Sequence, residues 1–238
     1  MYGTRVRTAH DTLEAALSTA ETPAPAIDPQ AVVDLLGVLA YGELTAFDRL
    51  ADDARLAPTL AGRAALACMA GAEIGHFLRL RDRLQELGVD PDEAMRPFVE
   101  VFDTFHATTR PSTWLEGLVK AYVGDGIAAD FYREVAELLD PSTRALVLEV
   151  LADSGHADFA VREVRAAIEA DPALSGRLAL WARRLVGEAL SQAQRVAAER
   201  DALAQLLVGG SGLTGVATLL KRLTAAHTAR MSKVGLNN

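Results

Sequence analysis

The chain has 238 residues, half of them apolar, with only 5% aromatic residues and a formal net charge of −8. That length and apolar content suffice for one sizeable core, and the weight of alanine, leucine, arginine and glutamate favours helices over a sheet. The single cysteine, Cys68, excludes an internal disulfide and reads as a small core residue in a reducing, cytoplasmic setting; without eighteen uninterrupted apolar residues or an apolar signal core, no membrane association is expected.

Residues 1–27 form an N-terminal segment, with a loose helix over 1–20 and the proline-rich linker Thr22-Pro23-Ala24-Pro25-Ala26. From there one device punctuates the chain: Asp-Pro, at Asp28-Pro29, Asp90-Pro91, Asp140-Pro141 and Asp171-Pro172. Aspartate accepts hydrogen bonds from the free amides of a first turn, and proline suits the first helical position, so each pair predicts a helix start. Thr113 with Glu116 three residues on predicts another, as a capping box. Gly88 and the run Gly209-Gly210-Ser211-Gly212 predict stops. The elements in chain order are then helices over about 29–54 and 58–87, a broken connector over 91–107 with Pro97 inside it, and helices over 112–138, 141–169, 173–207 and 213–230. Short second and fourth connections imply antiparallel neighbours, and the longer 88–111 segment crosses the bundle. The fold class is all-α: a ferritin-like four-helix bundle over 28–208 with additional C-terminal helices, the last being a helix and tail over 209–238.

Two short pieces of the chain match. Glu73-Ile74-Gly75-His76 and Asp153-Ser154-Gly155-His156 each place a carboxylate three residues before a histidine. On a helix that spacing puts both groups on one face, where they reach a single ion from one direction. A two-metal bundle site needs a further carboxylate from each of two more helices. Glu43 lies 30 residues before Glu73, and Asp125 lies 28 before Asp153, each after a glycine, so the halves repeat at an offset of about 80 residues. Glu43 interrupts the stripe of Leu36, Leu39, Ala46 and Leu50; Asp125 lies on the line of Leu118, Tyr122 and Ala129; Asp153 and His156 interrupt Leu146, Val150 and Ala160. Carboxylates on core stripes cost several kcal/mol unless paired, protonated or metal-bound. The alternative is a metal-free bundle whose buried acids and histidines bond to one another.

These residues resemble the ferritin-superfamily tRNA hydroxylases of the MiaE type, over roughly Val32 to Val196. Ala72-Glu73-Ile74-Gly75-His76-Phe77 is similar to that family's helix of glutamate, histidine and phenylalanine, and Val123-Gly124 to the opening of its third helix. The resemblance implies metal ligation by Glu43, Glu73, His76, Asp153 and His156, and it implies a difference: the family's third-helix glutamate falls at Ala128, so Asp125, one turn earlier, takes its place, with Asp130 and Glu188 as weaker candidates. It further implies two iron ions, with manganese as the other suitable metal, dioxygen as co-substrate, hydroxylation of a modified adenosine in tRNA, and an external electron donor, because the chain carries no flavin or nicotinamide motif. Two other classes stay open: a ferritin-like iron-oxidising protein, and a metal-free or degenerate ferritin-like binding protein. Homo-oligomerisation is also open.

Charge bears on the tRNA expectation. From Ala173 onward nine Lys or Arg face three acids, a segment of +6 in a chain of −8. A basic C-terminal third offers contacts to a phosphate backbone. Trp114 and Trp181 are expected at the bundle ends, Phe47, Phe77 and Phe159 beside the ligands, and Tyr41, Tyr122 and Tyr132 as hydrogen-bond donors to them. His10, His106 and His227 lack acids at metal spacing and read as surface or capping residues.

Overall fold

A computed structural model describes residues 27–152, 156–209 and 212–236. Helix α1 spans Pro29–Asp53 and runs into a 3-10 turn, Ala54–Leu56; α2 spans Leu60–Glu86; α3, Pro91–Met95, a 3-10 turn and α4, Val99–Thr108, make the crossover. Then follow α5 (Trp114–Ala136), α6 (Pro141–Val150), α7 (His156–Ala170), α8 (Ala173–Glu199), α9 (Asp201–Gly209) and α10 (Gly212–Lys233). The described residues contain no strand.

The aspartates act as the sequence predicts. Asp28, Asp90, Asp140 and Asp171 each accept a hydrogen bond from a first-turn amide, those of Gln30, Asp92, Ser142 and Ala173. Thr113 accepts from the Glu116 amide, while the Glu116 carboxylate reaches back to the Ser112 amide at 2.7 Å. Gly88 takes a positive φ of 73° just past the end of α2, a backbone conformation that glycine adopts at no steric cost.

The four-helix layer is α1, α2, α5 and the pair α6–α7, with α8 and α10 laid against α5 and α9 against α1. Its interior is two apolar cores stacked along the bundle axis. One gathers Leu35, Leu36, Leu39, Leu80, Leu84, Phe98, Val135, Val147 and Val150; the other gathers Leu50, Leu66, Met69, Leu118, Val119, Val164, Leu178 and Leu185. Between them no apolar residue is fully buried over 41–49 on α1, 71–79 on α2 and 124–134 on α5, where Phe47, Phe77, Ile127 and Phe131 are partly buried. That interruption is the level at which the sequence places the ligands.

Three expectations about elements and burial need correction. The helix expected over 141–169 is two helices, ending at Val150 and resuming at His156; buried apolar residues, Val150 and Ala160, flank the break on both sides, so a sequence reading does not reveal it. The helix expected over 173–207 breaks at Arg200, whose Nε donates to the buried Asp34 carboxylate of α1 at 2.9 Å, an ion pair that holds the guanidinium against α1. Cys68 is exposed rather than in the core, on the side of α2 turned away from the bundle. The C-terminal helix is part of the same packing: Met231, Val234 and Leu236 are fully buried in the second core. Helix α1 with its 3-10 turn, Pro29–Leu56, is apolar enough by length and composition to resemble a membrane span, yet half of that window is buried inside the bundle. The linker and helix expected before residue 27, and His10, lie outside the described residues.

Candidate metal centre

Glu43 comes from α1, and Glu73 and His76 from α2, one turn apart on a common face. The imidazole Nδ1 lies 3.3 Å from Glu43 Oε2 and 3.2 Å from Glu73 Oε2, and one ligand atom from each of the three lies within 4.8 Å of the others. Glu73 is 8% exposed, unusual burial for a glutamate.

Electrostatics describe a cluster short of positive charge. His76 is raised to about 9, because Glu43 and Glu73 both bond to it and outweigh desolvation. Burial pushes Glu43 up to about 8, helped by the Glu73 carboxyl and opposed by His76. Asp125 on α5 is pushed up to about 8, first by desolvation and then by the charge of Glu73, with Lys120 pulling it down. Asp125 nevertheless keeps exposed surface. Tyr132 also feels Glu43, whose charge adds to burial in raising the phenol.

One buried and one half-buried carboxylate converging with an imidazole within ligand distance are the hard, oxygen-rich donor set that suits iron or manganese, and the protons this cluster holds are what a cation would displace. The residues fit one ion directly. A second would need Asp125, Asp153 and His156. Asp153 lies outside the described residues, and His156 is the first residue of α7.

The weaker candidates are engaged elsewhere. Asp130 pairs with Arg230 and Arg133, and Glu188 Oε2 accepts from Thr108 Oγ1 at 3.2 Å. Tyr122 donates to the Arg230 carbonyl at 3.3 Å, and Tyr41 bonds to Asp103. Trp114 packs on Phe159, and Trp181 Nε1 donates to the Glu116 carbonyl at 2.9 Å. His106 and His227 are corrected from surface to interior: the ring of His106 lies against Phe102 and Phe105, and His227 is 9% exposed. Among the described residues, C-terminal cations form ion pairs with acids: Arg195 with Glu199 and Glu100, Arg200 with Asp34, Arg222 with Glu134, Arg230 with Asp130 and Lys233 with Asp158.

Sequence reasoning missed the polar level adjoining the cluster, formed by Arg49, Asp53, His106 and Lys120. The signal available was Lys120 itself, a lysine within the apolar run Leu118–Val123.

Helix order, crossover and a carboxylate–histidine cluster between two stacked cores define the class: a ferritin-like helical bundle. Residues 28–210 match the family described as ferritin-like domain, actinomycetes, and the chain belongs to it. Among solved structures it is similar to Protein 19 with aldehyde deformylating oxidase activity from Synechococcus, at a TM-score of 0.69 and 23% identity over 90% of this chain and 94% of that one, which shows a shared fold. Comparison with curated proteins gives no match.

Proposed function

We propose that this protein is an oxygen-dependent, non-haem di-iron oxidase, and that its reaction is hydroxylation of an aliphatic C–H bond, as the likeness of its motifs to the MiaE-type hydroxylases implies. The observation that carries this reading is the convergence of Glu43, Glu73 and His76 within 4.8 Å at the polar level between two apolar cores. Iron, when bound, supplies electrons to dioxygen and the oxidant for the C–H bond; a further two electrons come from an external donor.

The chain's own residues do the rest. Glu43, Glu73 and His76 hold the first ion, and Asp125, Asp153 and His156 are assigned to the second. Glu73 and His76, one turn apart on a rigid helix, fix the angle between two ligands before metal arrives. The apolar cores above and below bound the cluster along the bundle axis. Pairing of the C-terminal cations with bundle acids lowers the charge offered to a phosphate backbone, so a small organic substrate ranks ahead of modified tRNA. An aldehyde is the second substrate class, favoured by the structural likeness to the Synechococcus protein.

The test is anaerobic reconstitution with ferrous iron, followed by oxygen. About two irons per chain and an absorbance change on oxygen addition support the proposal. Helices intact by circular dichroism with no iron retained would overturn it and favour the metal-free binding protein.

A further inference from the structure

One level along the bundle from the carboxylate–histidine cluster, α1, α4 and α5 enclose a group of donors that the oxidase reading does not use. Arg49 and Asp53 come from α1, His106 from α4 and Lys120 from α5. Arg49 lies six residues beyond Glu43, and Lys120 five before Asp125, so on both helices the group sits ~7–9 Å along the axis from the metal level. The two helices meet closely here: a Cβ on Gly117 would lie 2.9 Å from Asp53 Oδ2, which fixes this stretch of α1 against α5.

The polar atoms of the group are left wanting. Arg49 Nε is buried without a hydrogen-bond partner, and so are both ring nitrogens of His106. Lys120 is 7% exposed, and its Nζ has one protein acceptor, the Thr109 carbonyl at 2.9 Å, with the Phe105 ring on another side at 5.3 Å. A neutral imidazole always presents one N–H and one lone pair, and an ammonium presents three N–H bonds. A buried donor without an acceptor is costly, so these atoms mark a place where an acceptor fits. The chemistry of the donors identifies its sign: Arg49 and Lys120 are cations that can only donate, and Asp53 and Asp125 are the carboxylates that act on Lys120. Burial, with Arg49 adding to it, lowers Lys120, and burial with both cations holds His106 neutral down to about 3.

We propose that Arg49, His106 and Lys120 form a binding site for one anionic oxygen group, a carboxylate or a free oxyanion. Arg49 gives the planar fork that carboxylates and phosphates fit, Lys120 adds a point charge, and His106 donates one N–H while Phe102 and Phe105 wall the site. The site exists independently of any metal; its use as the anchor that holds an acyl chain with its carbons towards the cluster rests on the oxidase reading.

Isothermal titration of the metal-free, full-length protein with hexanoate and, separately, with inorganic phosphate tests it. One molecule per chain is expected, weakened about tenfold or more in Arg49→Gln and in Lys120→Met, as loss of a charge-assisted hydrogen bond requires. Exposed Arg81→Gln should bind as the wild type does. Hexanoate binding without phosphate assigns the site to an organic head group, and phosphate binding without hexanoate to a free oxyanion; each supports the site. Neither ligand binding to the wild type, or undiminished binding to a folded Arg49→Gln, overturns it. Glu73→Ala separates the two proposals, because it removes the metal cluster and should leave anion binding unchanged.

Discussion

Gly126 on α5 and Arg230 on α10 make a prediction whose sign depends on the partner. Arg230 Nη2 donates to the Gly126 carbonyl at 2.9 Å and pairs with Asp130, and its side chain is 11% exposed. A Cβ at position 126 would fall 2.1 Å from Arg230 Nε and 2.5 Å from Cζ, so Gly126→Ala must expel the guanidinium from its seat. Two charge-assisted hydrogen bonds are then lost; discounted for the partial exposure of Asp130, they are worth about 3 kcal/mol together. Alanine regains about 1 kcal/mol over glycine in a helix interior. The net expectation is destabilisation by about 2 kcal/mol, read from urea unfolding followed by circular dichroism. In an Arg230→Ala background the seat is empty, and the same Gly126→Ala should stabilise by about 0.5–1 kcal/mol. The same sign in both backgrounds would refute the reasoning, whatever the magnitudes.

Three further outcomes follow from other parts of the molecule. Gly37→Ala should destabilise more than Gly126→Ala, because its Cβ would meet the backbone carbonyl of Ala94 at 2.3 Å, which cannot rotate aside; an unfolding midpoint within error of the wild type would contradict this. Glu73→Ala, His76→Ala and His156→Ala should each lose bound iron with little loss of helical signal, and unchanged metal content by elemental analysis would remove them from the site. The metal-free protein should lose stability as pH rises from 6.5 to 8. In that window His76, raised to about 9, and Glu43 and Asp125, raised to about 8, hold protons in the folded chain that the unfolded chain has released. The stability they give is therefore full at low pH and drains as pH climbs. A flat or rising profile in thermal unfolding would contradict it, and Glu43→Gln should make the slope shallower.

Much of the fold is written in local chemistry. The Asp-Pro pairs, Thr113 and Gly88 act through their nearest amides and carbonyls, so the boundaries they set hold in the structure. Glu43, Glu73 and His76 were legible because one is a polar interruption of an apolar stripe and the other two share a helix face. What the sequence hides is pairing at a distance. The basic C-terminal third looks like free charge until Arg200 meets Asp34 and Arg230 meets Asp130, partners more than 90 positions away. His106 was misread because it lacks an acid neighbour, although the flanking Phe102 and Phe105 mark an interior position. The break between α6 and α7 escapes a sequence reading, since buried apolar residues, Val150 and Ala160, flank it on both sides.

The three converging ligands all come from one hairpin, and this bears on the order of assembly. α1 and α2 are joined by a short connection, so their docking closes a small loop, while the remaining candidates wait on the crossover and a second hairpin. A nascent chain would hold its first half-site as soon as Glu86 has formed its turn. Metal arriving then would meet a three-coordinate cradle, and the later helices would close over an ion already in place.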